Sequence, residues 1–181
     1  MTERLKMDQE MAMTLAIGML ENEGLKYNLR PDKKEAVVHW VNSSTFVSTE
    51  LGTVSNKVFV TFTTPLVTDF RLTDKNRLKA YEWVNEKNSR FRSCRFSLVP
   101  ETPKVGAKSS NAHVRMEYEL LADNLHQAEF SHVLNWIGLT AEKLDGEFIA
   151  DFGGKTHKES VEARQKAPKP FAGTVAESVE T

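Results

Sequence analysis

Cysteine is nearly absent from this chain of 181 residues, which contains only Cys94. A single thiol cannot form an internal disulfide, so the fold cannot depend on one, and we expect a reducing compartment. Cys94 alternates with Phe96 and Leu98 along a short stretch of the chain. This alternation favours a small buried side chain over a reactive nucleophile.

Long apolar runs are also absent. No stretch of about 18 consecutive apolar residues occurs, and the first ten residues, MTERLKMDQE, are rich in charge. We therefore expect neither a membrane span nor a secretory signal, and we predict a cytoplasmic protein without a membrane partner. The formal net charge is −1, so no global field attracts the whole chain to nucleic acid or anionic lipid.

Motifs typical of catalysis are missing as well. The sequence contains no glycine-rich phosphate loop, no serine elbow and no spaced pair of catalytic carboxylates. Its histidines do not have the spacing of a zinc-binding helix. We therefore predict that the protein is not an enzyme and uses no cofactor and no metal.

Apolar residues are present in patterns that predict a two-layer α+β fold. A hydrophobic fraction of 40% is enough for a core. Helical spacing predicts helices from Asp8 to Gly24, from Asp74 to Asn88 and from Asn124 to Gly154. Alternation predicts strands at 25–30, 36–42, 57–63, 93–100 and 111–121, with Pro65 ending the third. Residues 45–51 either continue the second strand or form a separate one. The order α-β-β-β-α-β-β-α is typical of an antiparallel sheet covered by helices.

The apolar periodicity stops after Gly154. The remaining residues are mostly polar and include two prolines, Pro168 and Pro170. We therefore predict a folded domain at residues 1–154 and a disordered polar tail at residues 155–181.

The second predicted helix carries two asparagines at an informative spacing. Helical geometry places Leu78, Tyr81, Val84, Asn85 and Asn88 on one buried face. A buried amide must be hydrogen-bonded, so we interpret both asparagines as pinning the structural corner between this helix and the next strand. Asn88 is also expected to end the helix. A ligand contact is the alternative.

Two tryptophans lie outside the predicted apolar stripes of their helices. Trp83 and Trp136 are therefore expected to face outward, and aromatic side chains are enriched at protein interfaces. We predict that both are partner-binding residues. The alternative is that they cover loops or sheet edges.

The segment from Arg71 to Arg95 is strongly basic. It holds eight lysines and arginines against three acids, a net charge of +5, so the rest of the chain carries −6. Phe91 interleaves with Arg90, Arg92 and Arg95, which we predict to be partner-binding residues. Such a run is most often a solvated face, and a nucleic-acid-linked regulator that uses this segment is the alternative function.

The ordered elements resemble the YbjN family of bacterial proteins, which are described as sensory transduction regulators. The residues that carry the resemblance are the helix LKAYEWVNEKNSRF, the strand after it, and VRMEYELLADNLHQAEFSHVLNWI, in which Glu119-Leu120-Leu121 matches an acidic-leucine element. The resemblance covers residues 7–154 and fails in the loop at 101–110 and in the tail.

This resemblance implies a fold similar to that of type III secretion chaperones. It also implies a noncatalytic regulatory or chaperone-like module that binds a protein or peptide, often as a homodimer. An exposed sheet face, a helix groove or a sheet edge would receive an apolar segment of the partner.

Overall fold

Six antiparallel strands form one sheet in this computed structural model, which describes residues 7–53, 56–101 and 109–166. The strand order across the sheet is β1-β2-β3-β4-β6-β5. The elements along the chain are α1 (Gln9–Asn22), β1 (Tyr27–Arg30), β2 (Glu35–His39), β3 (Ser44–Leu51), β4 (Val58–Thr73), α2 (Arg77–Arg90), β5 (Arg95–Pro100), β6 (Ser109–Leu121), α3 (Gln127–Phe152) and α4 (His157–Lys166).

The predicted α+β class with an antiparallel sheet is confirmed. Residues 44–51 form a separate strand, so four strands precede α2. Asp8 caps α1, because its side chain accepts a hydrogen bond from the backbone N–H of Met11, and Gly24 takes a left-handed conformation just after the helix. Among the helices of the described residues, none has the length and apolar character that a membrane crossing requires.

One face of the sheet carries the core, because α1, α2 and α3 all pack on it. Every second residue of β4 from Val58 to Leu66 points to that face, and Val60 and Phe62 are fully buried there. The rings of Phe62 and Phe130 lie 5.1 Å apart, and those of Phe70 and Phe148 lie 5.2 Å apart. Burying a phenylalanine side chain contributes about 1.5–3 kcal/mol, so these contacts fix α3 firmly over β4.

The prediction that Pro65 ends a strand is wrong, because β4 continues from Val58 to Thr73. Its register with β3 ends at Thr63, and its pairing with β6 shifts between Pro65 and Val67. Proline lacks a backbone N–H, which is tolerated at a bulge and where a neighbouring strand is missing. Pro65 satisfies both conditions, so the strand continues through it.

The predicted disordered tail at residues 155–181 is wrong for residues 155–166, so the folded part extends past residue 154. Lys155 and Thr68 exchange two backbone hydrogen bonds of 2.8 and 2.9 Å at the edge of β4, and α4 follows. Ser160, which is 2% exposed, donates a 2.8 Å hydrogen bond to Asp69. Polar contacts hold this helix against the sheet, so its sequence has no apolar stripe from which a helix could be predicted. Residues 167–181 lie outside the described residues.

Candidate functional site

Helix α2 is rotated relative to the sequence prediction. Leu78 and Tyr81 are 69% and 41% exposed, and Asn85 is exposed as well, so the stripe that these residues form is not the core face. Trp83 is only 6% exposed and lies in the core, so the expectation that it faces outward is wrong. The true inner face consists of Ala80, Trp83, Val84 and Lys87. The large indole decides the orientation, since burying it removes more apolar area from water than burying Leu78 would.

The buried lysine on this face explains why the stripe was misread. Lys87 is 2% exposed, and its ammonium group lies 4.8 Å from the centre of the Trp83 ring. Its Nζ also forms an ion pair with the half-exposed Glu147 of α3. The Lys87 ammonium lowers the pKa of the Glu147 carboxyl below its ordinary value. A paired lysine therefore occupies a core position that a sequence pattern counts as polar.

Asn88 spans the corner between α2 and β5. Its Nδ2 donates a 3.0 Å hydrogen bond to the carbonyl of Phe96, and its Oδ1 accepts a 2.8 Å hydrogen bond from the N–H of Phe96. The helix nevertheless continues to Arg90, so the prediction that Asn88 ends it is wrong. Asn85 is exposed on the outer side of α2 and takes no part in the corner.

The hydrogen bonds between Asn88 and the backbone of Phe96 also protect the edge of the sheet at β5. The backbone groups of Phe96 that Asn88 engages point away from β6. Alternation along the strand then points Leu98 and Pro100 outward too, and a proline has no N–H to offer. A strand added at this edge could pair fully with the backbone of Leu98, but not with that of Phe96, which Asn88 occupies, or with Pro100, which has no N–H. The β5 edge is therefore poorly suited to strand addition.

A groove between α2 and α3 brings several of the predicted site residues together. It encloses about 450 Å³ and is lined by Lys87, Arg90, Phe91, Trp136, Leu139, Thr140, Lys143, Leu144 and Glu147. A smaller hollow of about 280 Å³ shares Arg90, Phe91 and Trp136 and adds Arg92 and His132. We call these two adjoining spaces the α2–α3 groove.

The floor of the α2–α3 groove is aromatic. The Trp136 ring lies 6.0 Å from that of Phe91 and 6.3 Å from that of Tyr118. Trp136 is half-buried, so one side of the indole packs on the core and the rest remains accessible. Leu139, one turn further along α3, is 67% exposed beside it. The groove thus presents an apolar surface that nothing within the described residues covers.

The rim of the α2–α3 groove is basic. Arg92 and Lys143 are exposed there. Arg90 is exposed too, and its guanidinium lies 3.0 Å from the Glu86 carboxylate one turn earlier. Glu147 is the acidic residue of the lining, and Lys87 neutralises it. The groove therefore combines an apolar floor with excess positive charge at its mouth.

Arg95 does not belong to this groove. It lies on the face of the sheet opposite the helices, where its guanidinium is 2.9 Å from the carboxylate of Glu117. Arg115 pairs with the same carboxylate at 3.1 Å. The basic segment Arg71–Arg95 is therefore divided between two surfaces, and its net charge does not form one continuous stripe.

Sequence reasoning missed Leu139 and Lys143 as site residues. Both lie on the outer side of α3, off the apolar stripe that marks its buried face. A leucine three residues after an off-stripe tryptophan is the signal that could have identified them, because the two share one helix face.

A second groove of similar size lies at the other end of the sheet. This α1–β1 groove encloses about 420 Å³ and is lined by Gln9, Glu10, Met13, Ile17, Leu29, Arg30, Pro31, Lys34, Glu35 and Thr49. Leu29 is 50% exposed in it. Arg30 and Glu35 pair at 3.0 Å, and the two other charged residues of the lining, Lys34 and Glu10, have opposite signs. The charges of this groove therefore balance.

Cys94 is half-buried just before β5. Burial raises the pKa of its thiol to about 12. The thiolate, which is the nucleophilic form, is therefore scarcely populated at neutral pH.

Comparison with known proteins supports the fold and the family. The crystal structure of YbjN from E. coli superimposes with a TM-score of 0.51 at 8% sequence identity, covering 77% of this chain and 92% of that one. At this identity the likeness shows a shared fold. A search of curated proteins finds no match. A family described as TY-Chap1, T3SS (YopN, CesT) and YbjN peptide-binding chaperone 1, matches residues 22–160. Since this match spans α2, the groove and most of the sheet, the chain belongs to the TY-Chap1 family of peptide-binding chaperones.

Proposed function

We propose that this chain is a noncatalytic regulatory or chaperone-like module that binds peptide segments in the α2–α3 groove. The observation that carries the proposal is the accessible apolar pair Trp136 and Leu139 beneath a basic rim. A segment with a bulky apolar residue next to acidic residues would complement both features. The family description supports peptide binding in general.

The energetics favour such a ligand over a purely charged one. Burying apolar surface contributes about 25 cal/mol per Å², and interface energy concentrates in a few well-packed aromatic and apolar anchors. Arg92 and Lys143 stand at the rim, where charges mainly accelerate association and select partners of opposite sign. The floor therefore supplies affinity and the rim supplies selectivity for acidic segments.

The experiment that tests this proposal selects peptides from a random display library on the full chain and measures their affinities by fluorescence anisotropy. The groove variants are Leu139→Asp and the pair Arg92→Glu with Lys143→Glu. Leu29→Asp is the matched apolar control and probes the α1–β1 groove. Lys75→Glu with Lys79→Glu is the matched charge control, since both lysines are exposed, Lys75 just before α2 and Lys79 on it, and neither lines the groove.

We expect selected peptides to carry acidic and apolar residues and to lose at least about tenfold in affinity with either groove variant, or about 1.4 kcal/mol. The two controls should bind as the wild type does. Retained binding in the groove variants together with loss in Leu29→Asp would move the site to the α1–β1 groove and refute the proposal.

A nucleic-acid-linked regulator that uses Arg71–Arg95 is the alternative function. The division of this segment between two surfaces, and the ion pairs of Arg90 and Arg95, argue for the peptide ligand. Salt-dependent binding of DNA or RNA that weakens in a triple Ala variant of Arg90, Arg92 and Arg95 would favour the alternative. Failure to bind any nucleic acid at low salt would remove it.

A homodimer in the cytoplasm completes the proposed function. The exposed apolar residues Leu78 and Tyr81, on the outer side of α2, offer a contact surface away from the groove. A partner copy on this surface would leave both grooves open.

A further inference from the structure

The chain carries a candidate ligand for its own groove after α4. Residues 171–181 read FAGTVAESVET and contain two glutamates, Glu177 and Glu180, but no lysine or arginine. Phe171, Val175 and Val179 recur at every fourth position between small and polar residues. This composition, apolar side chains beside acidic ones, is the chemistry that the α2–α3 groove complements.

The charges of the groove rim and of this segment are opposite in sign. Arg92 and Lys143 are exposed cations on the groove rim. Within the described residues, neither forms an ion pair with an acidic side chain. The floor offers Trp136 and Leu139 to apolar side chains. In the α1–β1 groove the rim charges balance, so an acidic segment gains nothing there by charge.

The connection is long enough for the segment to reach this groove. Helix α4 ends at Lys166, and thirteen residues further along the chain is Val179. An extended chain of that length spans about 45 Å, at roughly 3.5 Å per residue. A domain of this size has a radius of gyration of about 15 Å and is therefore about 40 Å across. A path over the surface of such a domain can be longer than about 45 Å, but α4 begins close to α3: the N–H of Lys158 donates to the carbonyl of Asn42, whose own N–H donates to Glu142, the neighbour of Lys143. The reach of the segment therefore covers the way from α4 to the groove.

We propose that residues 175–180 occupy the α2–α3 groove of their own chain and compete with peptide ligands. This inference rests on the proposed function of the groove and adds its regulation. A tethered ligand has an effective concentration in the millimolar range, so even weak intrinsic binding fills the site much of the time. An incoming peptide must displace the segment, and the groove is thereby reserved for segments that bind more tightly than the chain's own.

The test uses a fluorescein-labelled synthetic peptide of residues 167–181, titrated into the full chain. Two full-length variants weaken the chain's own segment: Val175→Ser with Val179→Ser, and Glu177→Lys with Glu180→Lys. We expect the labelled peptide to bind each variant at least about threefold more tightly than the wild type, since the tethered competitor is lost. Arg92→Glu with Lys143→Glu should weaken the peptide in every background, and thermal melting should show that all variants remain folded.

Equal affinity for the wild type and both tail variants would overturn the inference, and so would an absence of binding to any of them. The library peptides separate this failure from failure of the proposed function. If they bind and lose affinity in the Arg92→Glu, Lys143→Glu variant while the tail peptide does not bind, only the tail inference falls. If they bind independently of the groove variants, the proposed function falls and the tail inference falls with it.

Discussion

At the scale of single residues, Asn85 and Asn88 lie three residues apart on α2 and have different roles. Asn88 satisfies both backbone groups of Phe96, whereas Asn85 faces outward on α2. The sequence reasoning correctly identified the need of a buried amide for partners near the corner. It assigned Asn85 to the same face because Leu78 and Tyr81 form a competing stripe that turned out to be exposed.

Replacing Asn88 with Ala should destabilise the protein by about 1–3 kcal/mol, because the N–H and carbonyl of Phe96 lose their partners at a half-buried corner. The measurement is urea unfolding followed by circular dichroism. Asn85→Ala is the matched control and should change stability by less than about 0.5 kcal/mol, as is usual for an exposed site. Equal effects of the two substitutions would contradict the corner.

Burial of Asp145 makes the stability of the protein depend on pH. It lies on α3, is 4% exposed, and its Oδ2 has no hydrogen-bond partner among the described residues. Burial raises the pKa of its carboxyl above the unfolded value of 3.8. A raised folded-state pKa means that the stability this group contributes is present at low pH and is lost as pH rises through that pKa.

Asp145→Asn should therefore be more stable than the wild type at neutral pH, and its advantage should shrink as the pH falls toward the unfolded pKa of the aspartate, 3.8. Chemical unfolding at a series of pH values measures this difference. Asp151→Asn, an exposed position on the same helix, is the control and should show no such trend. A stability gain that is independent of pH would contradict the account.

At the scale of elements, the parts that could be predicted are those that apolar patterns and caps specify. The Asp8 cap, the Gly24 stop and the long α3 all follow from such local rules. The parts that could not be predicted depend on tertiary contacts. Pro65 continues a strand because a neighbour is missing there, and α4 forms because polar side chains find partners on β4.

Helix α4 also contains a group that responds to pH. The His157 ring packs edge-on against Phe46 at 5.6 Å. Burial lowers the pKa of His157 below its ordinary value of 6.5, and the nearby His39, Arg164 and Arg30 lower it further. With a depressed folded-state pKa, the docking of α4 is complete above the unfolded pKa and weakens as the pH falls through the folded-state value.

We expect amide hydrogen exchange across residues 158–166 to accelerate, relative to intrinsic rates, between pH 7.5 and about pH 5, because protonated His157 disfavours the docked helix. A His157→Gln variant should lose this dependence, while His132→Gln, at an exposed position on α3, should keep it. Unchanged protection of α4 over the same range would show that His157 does not control its docking.

At the scale of the whole molecule, the order of elements was enough to indicate the fold and the family. The candidate site was harder to predict, because it joins Arg92 after α2 to Trp136 and Lys143 on α3. Trp136 was predicted from its position outside the apolar stripe and the arginines from the basic run, and Trp136, Arg90 and Arg92 all line the groove. Trp83 was misplaced, because the rotation of α2 is set by packing against the sheet and not by its own apolar pattern. Leu139 was missed because it lies outside the apolar stripe that correctly marks the buried face of α3.

The proposed homodimer makes a prediction at the same scale. Light scattering at tens of micromolar should give twice the mass of the 20.5 kDa chain. Leu78→Asp should reduce this mass toward that of the monomer, because it places a charge on the exposed apolar side of α2, whereas Leu139→Asp should leave it unchanged. A strict monomer for the wild type at these concentrations would refute the dimer.

The central claim is that peptides bind between α2 and α3. Its most direct test places the photoreactive residue p-benzoylphenylalanine at position 139 in one chain and at position 29 in another, and irradiates each with a library-selected peptide. A peptide bound between α2 and α3 should crosslink from position 139, in competition with unlabelled peptide, and should not crosslink from position 29. Competable crosslinking from position 29 alone would place the peptide in the α1–β1 groove and contradict the account.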